Sequence, residues 1–194
     1  MPSVSSAERA ALAILLIALS GALVFEARQT GITADEPSHL ISARQYWLGR
    51  DTLKPRDMPP AIKLAGGWVP RFLFKLPEPG AEAAATNHEW MISSDILNRM
   101  PPDAVGDLMF RSRLPLLVFP LAMVTLVWWW GRQLYSPGIA LTLAALAAAE
   151  PTALGHGALF KNDVASACGL LAVAYRLWRL WHQPDWTRVW WLAA

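Results

Sequence analysis

Apolar and polar positions fall into long separate blocks along this chain, and the blocks predict where it meets a membrane. Charge is almost absent from residues 10–25, 114–130, 133–149 and 164–175, and it crowds into the segments between. The first three blocks run 16 to 17 residues, which at about 1.5 Å per residue is roughly 24–26 Å. A hydrocarbon core is about 30 Å thick, so flanking Ser, Trp and Arg must finish each crossing. Trp128, Trp129 and Trp130, with Trp178 and Trp181, stand at block ends, where interfacial aromatic belts form. The expected fold is all-α: a polytopic transmembrane helical bundle with a large extracytoplasmic first loop carrying interfacial helices.

Three parts follow from the blocks. Residues 1–25 hold the cytoplasmic start and first transmembrane helix, and 26–113 the extracytoplasmic loop. Residues 114–194 hold helices two to four and the start of a fifth. The apolar run at 186–194 stops in its middle, so the chain is expected to be the N-terminal part of a longer protein. A cleaved signal peptide is the alternative for the first block. Against it, the apolar run exceeds the usual signal core of about 7–15 residues and further blocks follow.

The long loop carries helical patterns of its own. In 38–48, His39, Ala43, Tyr46 and Trp47 recur at helical spacing, and Pro37 suits a first turn. Pro59-Pro60 opens a stretch at 61–76 whose apolar residues flank Lys63, Arg71 and Lys75. That pattern predicts a helix lying in the interface, with membrane lipids as its partner and basic residues snorkelling to the phosphates. The run Pro77-Glu78-Pro79-Gly80 breaks it, and Ser94 is expected to cap a short helix that ends at Pro101-Pro102.

Charge then orients the blocks. Arg132 lies in the turn between the second and third blocks, and Arg176, Arg179 and Arg188 follow the fourth. Short-loop cations mark the cytoplasmic side, so the N-terminus is expected inside a multi-pass protein of the cell's inner (plasma) membrane. Each crossing changes sides, so Asp35-Glu36, after the first block, and Asp163, after the third, share the outer face. Lys/Arg and Asp/Glu are balanced at eleven each across 26–113, as in a solvated, partly folded loop. A net charge of +2 with no basic run gives no ground for a nucleic-acid partner. The single cysteine, Cys168, excludes an internal disulfide.

Asp35 and Glu36 have a plain reading as acidic residues at a helix N-terminus, worth about 0.3–1 kcal/mol. Asp163 has one as an N-cap. Buried at a bilayer centre Asp163 would cost about 2.5–3.5 kcal/mol, so it must sit at the rim or in a wet cavity, where acidic groups do chemistry. Asp35, His39, His156 and Asp163 are together candidates for a divalent metal, although no compact ligand spacing supports one. Arg111 and Arg113 start the second block, where they either anchor the helix or bind a lipid phosphate, a task Lys63 and Lys161 could share. His88 lies in a weakly patterned stretch and reads as solvated. No nucleophile elbow, phosphate-cradling glycine loop or zinc motif is present.

Several runs resemble a known family. Ala34-Asp35-Glu36-Pro37-Ser38-His39, then Tyr46-Trp47 and Gly49, then Pro55-Arg56-Asp57-Met58-Pro59-Pro60 and Lys63-Leu64 resemble the first outer loop of polytopic GT-C glycosyltransferases. The nearest group is family-39-like, with protein O-mannosyltransferases and the aminoarabinose transferases that modify lipid A. Arg113-Leu114-Pro115 resembles their second-span entry. Glu150-Pro151 and the run Leu154-Gly155-His156-Gly157-Ala158-Leu159-Phe160-Lys161-Asn162-Asp163 resemble the segment with their second acidic residue. The similarity covers most of 32–168. Met58 departs from it, standing where bacterial relatives often carry His, and so does Lys161-Asn162, in place of small hydroxyl residues.

The resemblance implies transfer of a sugar from a polyprenyl-phosphate donor to an acceptor hydroxyl of a protein, lipid or glycan, with protein glycosylation of the mannosyltransferase type as the model. In it Asp35 is the general base, Glu36 orients the acceptor or a partner base, and Asp163 helps hold the acceptor or a metal ion. Arg113 first, then Lys63 and Arg111, would neutralise the leaving phosphate, and His39 and His156 would line the substrate site. A single displacement implies inversion. Two rivals come from other classes. A transporter or flippase predicts charged or broken helices and internal repeats, which the four blocks do not display. A non-catalytic membrane subunit predicts that Asp35 and Asp163 are replaceable by Asn.

Overall fold

The computed structural model describes residues 4–49, 58–86 and 88–184, all helical or connecting, with no strand among them. The 55–57 part of the proline-flanked motif and the apolar run at 186–194 lie outside the described residues. Ten α-helices are present among them: α1 (Ser6–Gln29), α2 (Glu36–Trp47), α3 (Pro60–Phe72), α4 (Ala81–Thr86), α5 (Glu89–Asn98), α6 (Pro102–Arg113), α7 (Val118–Leu134), α8 (Pro137–Ala148), α9 (Pro151–Gly157) and α10 (Asp163–His182). A 3-10 turn, Leu114–Leu117, joins α6 to α7.

The helices make two cores. The first is a head in which α2, α3, α5 and α6 bury Leu40, Ile41, Ile62, Ile96, Leu108 and Met109 around Phe160. The second is a bundle in which α1, α7 and α8 bury Leu12, Leu19, Leu23, Val124 and Trp128 against Ala140, Ala144 and Ala148. In α1 the buried residues Glu8, Leu12, Leu19, Leu23 and Ala27 form one stripe, while Ile14, Ile17 and Phe25 face outward. The alanines of α8, four apart, let it lie close to α7, where Gly131 meets Ala140.

Two helical stretches are long and apolar enough to cross a membrane: α1 with 24 residues and the unbroken 33-residue run Pro102–Leu134. A third exists if α8 and α9, bent by 57° at their junction, make one broken span. Four spans were expected, and two differences account for the change. α8 is only 12 residues long, about 18 Å, before Glu150-Pro151 turns the chain. α10 spans 20 residues but carries Asp163, Arg176 and Arg179, which dilute its apolar character. The second block also starts earlier than expected. Pro102 opens α6 instead of only ending what precedes it, because proline fits the first helical position. The run from Pro102 to Leu134 is about 50 Å long, more than a hydrocarbon core, so α6 belongs to the head.

Other local readings are sharpened. α2 begins with Pro37 in its first turn and ends at Trp47, and Gly49 two residues on, with a φ of 68° that suits glycine, turns the chain away. α3 forms where a helix was expected, ending at Phe72, and leaves Leu64, Trp68 and Phe72 exposed along one side. Its Lys63, however, is buried with Nζ 5.7 Å from the Tyr46 ring centroid, so it does not snorkel. α5 starts at Glu89, which leaves Ser94 inside the helix, not capping it. Gly66 and Gly67 explain how α3 packs. A Cβ at Gly67 would collide with the Ala43 carbonyl on α2, and one at Gly66 with the Phe160 ring.

Candidate functional site

The site is organised by a buried ion pair that links three distant stretches of chain. Glu36, in the first turn of α2, and Arg113, at the end of α6, are 0% and 2% exposed. Arg113 Nε donates to Glu36 Oε1 at 2.8 Å and Nη2 donates to Oε2 at 2.6 Å, a two-pronged pairing. Its remaining N–H groups go to backbone carbonyls at the end of α1: Nη1 to Ala27 and Thr30, both 2.8 Å, and Nη2 to Gly31, 2.9 Å. Those carbonyls are the ones a helix C-terminus leaves without partners, and a cation there also meets the negative end of the helix dipole. All five donors of the guanidinium are therefore used.

Glu36 is equally committed. Its Oε1 accepts the Phe160 amide at 2.7 Å, and its Oε2 accepts the Thr33 amide at 3.0 Å. Burial by itself raises the carboxyl, but the hydrogen bonds from Arg113, Thr33 and Phe160 and the Arg113 charge outweigh it and hold the pKa below the ordinary value of 4.5. One carboxylate thus fixes the start of α2 to the 159–162 connection, 124 residues away in sequence.

That clamp brings four polar groups together, three of them open to solvent and Lys161 with only 19% of its side chain exposed. Asp35, the residue before Glu36, has a 64% exposed side chain with Oδ2 3.3 Å from Lys161 Nζ, and Lys161 follows the clamped Phe160 directly. Two residues on, Asp163 Oδ2 lies 2.7 Å from His156 Nδ1, both side chains open to solvent. Neither aspartate caps its helix: Asp35 and the α10 cap residue Asn162 make no side-chain cap bond. Asp35 and Glu36 do stand at a helix N-terminus, as their plain reading has it, whereas the N-cap reading of Asp163 gives way to its pairing with His156. Glu150 does cap, accepting the Ala153 amide of α9 at 2.6 Å.

The other expected site residues lie elsewhere. Arg113 is locked inside, so a phosphate could reach it only by displacing Glu36 or the α1 carbonyls. With every donor committed it is not the free cation that was expected for a leaving group. Glu36, expected to orient the acceptor or a partner base, turns its carboxylate inward to Arg113 and the Phe160 amide. Lys63 and His39 are buried within the head. Arg111 is exposed and pairs with Asp107 at 2.8 Å along α6. Among the described residues no three His, Cys, Asp or Glu side chains are grouped to hold a metal, so Asp35, His39, His156 and Asp163 do not make a metal centre. What the sequence reading missed was the bond from Glu36 to the Phe160 amide. The available signal was the crowd of unpartnered carbonyls at the end of α1, which needed a multi-donor cation.

A carboxylate beside a lysine offers a proton acceptor next to a cation that can neutralise an anion formed nearby. A carboxylate on imidazole Nδ1 orients the ring, leaving Nε2 to hold or relay a proton. Together the four groups can serve acid–base chemistry on a substrate that reaches an open surface. Compared with known protein families, with curated proteins and with solved structures, the chain matches none.

Proposed function

We propose that the chain forms the extracytoplasmic acid–base site of an integral membrane glycosyltransferase that takes a sugar from a polyprenyl-phosphate donor. The reading sets α1, α7 and the bent α8–α9 pair across the plasma membrane, with the N-terminus cytoplasmic and the head outside. The observation that carries it is the exposed Asp35 carboxylate 3.3 Å from Lys161, on the surface that also bears the His156–Asp163 pair. The resemblance of 34–39 and 154–163 to GT-C loops supports the same assignment.

In the reaction, the acceptor hydroxyl oxygen attacks the anomeric carbon and its proton passes to Asp35. The bond from that carbon to the phosphate oxygen breaks, and its electron pair leaves with the phosphate. Lys161, not Arg113, is the cation that meets this charge. Asp163 and His156 hold the acceptor, and one displacement inverts the anomeric centre. The transition state resembles an oxocarbenium ion, which a nearby carboxylate stabilises. Incubation of membranes containing the protein with labelled polyprenyl-phosphate sugars tests the reading: label must pass to an acceptor in the parent and not in a folded Asp35→Asn variant.

A second reading, a lipid flippase, draws support from the 57° break between α8 and α9, since broken helices line transport paths. It expects proteoliposomes to move a fluorescent lipid between leaflets and Asp35→Asn to leave that movement intact.

A further inference from the structure

We propose that a groove between α3 and α6, separate from the Asp35 surface, is a binding site for phosphatidylethanolamine. The groove has a volume of about 860 Å³, within the range of about 300–1,000 Å³ usual for small-molecule clefts. It suits a headgroup and the first part of one chain. Trp68 of α3 and Leu73 just after it line one side, Phe110 of α6 and Leu114 of the 3-10 turn the other, and none of Asp35, His156, Lys161 or Asp163 lines it. Its position fits a lipid of the outer leaflet. α6 runs without a break into the apolar α7, so the groove opens where the head meets the membrane. Leu64 and Phe72, on the same side of α3 as the groove-lining Trp68, are exposed as well.

Charge selects the occupant. Two cations, Arg28 and Arg111, and two anions, Asp103 and Asp107, line the groove. Arg28 is held with its guanidinium 5.3 Å from the Phe110 ring centroid. An anionic headgroup would meet both aspartates unfavourably, and a simple cation both arginines. A phosphate joined to a primary ammonium satisfies both signs: the phosphate takes the Arg28 and Arg111 donors, and the ammonium donates to Asp103 and Asp107. The Asp107–Arg111 pair is half-exposed, and such pairs contribute little, so it opens toward a ligand at small cost. A choline head carries the same charges but no N–H donor, so it binds less well.

Gly106 supplies a clean test. It lines the groove on α6, and a Cβ there would meet nothing within 4 Å. Gly106→Leu therefore fills the groove without straining the helix. The proposal rests on the membrane placement given above but not on the chemistry at Asp35, and flotation of the full chain with vesicles checks that placement first. The chain is then set in phosphatidylcholine bilayers with a photoactivatable analogue of phosphatidylethanolamine, phosphatidylglycerol or phosphatidylcholine, and labelled peptides are mapped. Expected is labelling of α3 and α6 by the ethanolamine lipid about tenfold above the other two. Gly106→Leu should remove it, and the Asp103→Asn, Asp107→Asn double variant should erase the preference over phosphatidylglycerol. Equal labelling by all three lipids, or unchanged labelling of Gly106→Leu with an unchanged melting temperature, overturns the proposal. Failure of the chain to float overturns it together with the membrane placement.

Discussion

Among the described residues the head and the bundle each bury an ion pair, Arg113–Glu36 and Arg132–Glu8, and the two are built differently. In the head, Arg113 spends all five donors on Glu36 and on three carbonyls of the α1 end. In the bundle, Glu8 of α1 accepts from Trp128 at 3.2 Å and contacts Arg132 at the end of α7. The Arg132 Nε is close to Glu8 but not aligned for a hydrogen bond. Desolvating two charges costs several kcal/mol per ion unless further hydrogen bonds satisfy them. The head meets that condition and the bundle only in part. The head pair is therefore a rigid joint, fit to hold a site in place, whereas the bundle pair is a looser fastening between two apolar helices.

The contrast can be broken most sharply at Arg113. Arg113→Leu leaves Glu36 buried without a counter-charge and frees the α1 carbonyls, so stability should fall by about 3–5 kcal/mol, read from denaturant unfolding in detergent. Arg113→Lys should rescue only part of this, since one ammonium cannot reach five acceptors. Next in size is Gly67→Ala, whose new Cβ collides with the Ala43 carbonyl. Overpacking of this kind costs about 1–3 kcal/mol, and hydrogen exchange should locate the loosening in α2 and α3. In the bundle, Glu8→Gln should cost about 1–3 kcal/mol or less, because glutamine still accepts from Trp128 while Arg132 loses its charge partner.

Acid separates the two regions again. The Glu36 pKa is lowered in the folded chain from its ordinary 4.5. Its stabilisation is therefore fully present above that value and drains away as the pH falls through the folded pKa. Acidification below about 4.5 should loosen the head, with a loss of Phe160-region amide protection that Arg113→Leu no longer shows. A pH-independent melting curve across that window would remove the clamp from the account.

Legibility in the sequence follows the same division. The bundle was readable because apolar blocks announce helices: α1, α7 and α10 cover the expected segments, and α3 matches its amphipathic pattern. Span count was less readable. The third block ended before Glu150-Pro151 as expected, but its helix starts only at Pro137 and is short, and Pro102 started a helix where it was expected to end one. In the head, the shared surface of Asp35 and the 156–163 segment was foreseen from topology, but its cause was not. Glu36 and Arg113 lie 77 residues apart, and no local pattern tells a buried guanidinium from one that waits for a phosphate. Lys63 misled for the same reason: amphipathic spacing locates a helix but does not say which side faces the membrane. Gly66-Gly67 was the one local sign of close packing between α2 and α3.

The central claim is a division of labour between neighbours, with Glu36 holding the fold and Asp35 doing the chemistry. The most direct measurement is the rate of sugar transfer from a labelled polyprenyl-phosphate donor per folded molecule of Asp35→Asn, alongside its melting temperature. The Asp35 side chain is 64% exposed, so loss of its charge should change stability by only about 0–1 kcal/mol, while transfer should fall about 10²–10⁴-fold with the loss of a general base. An Asp35→Asn protein that melts as the parent does and transfers sugar at the parent's rate would contradict the account.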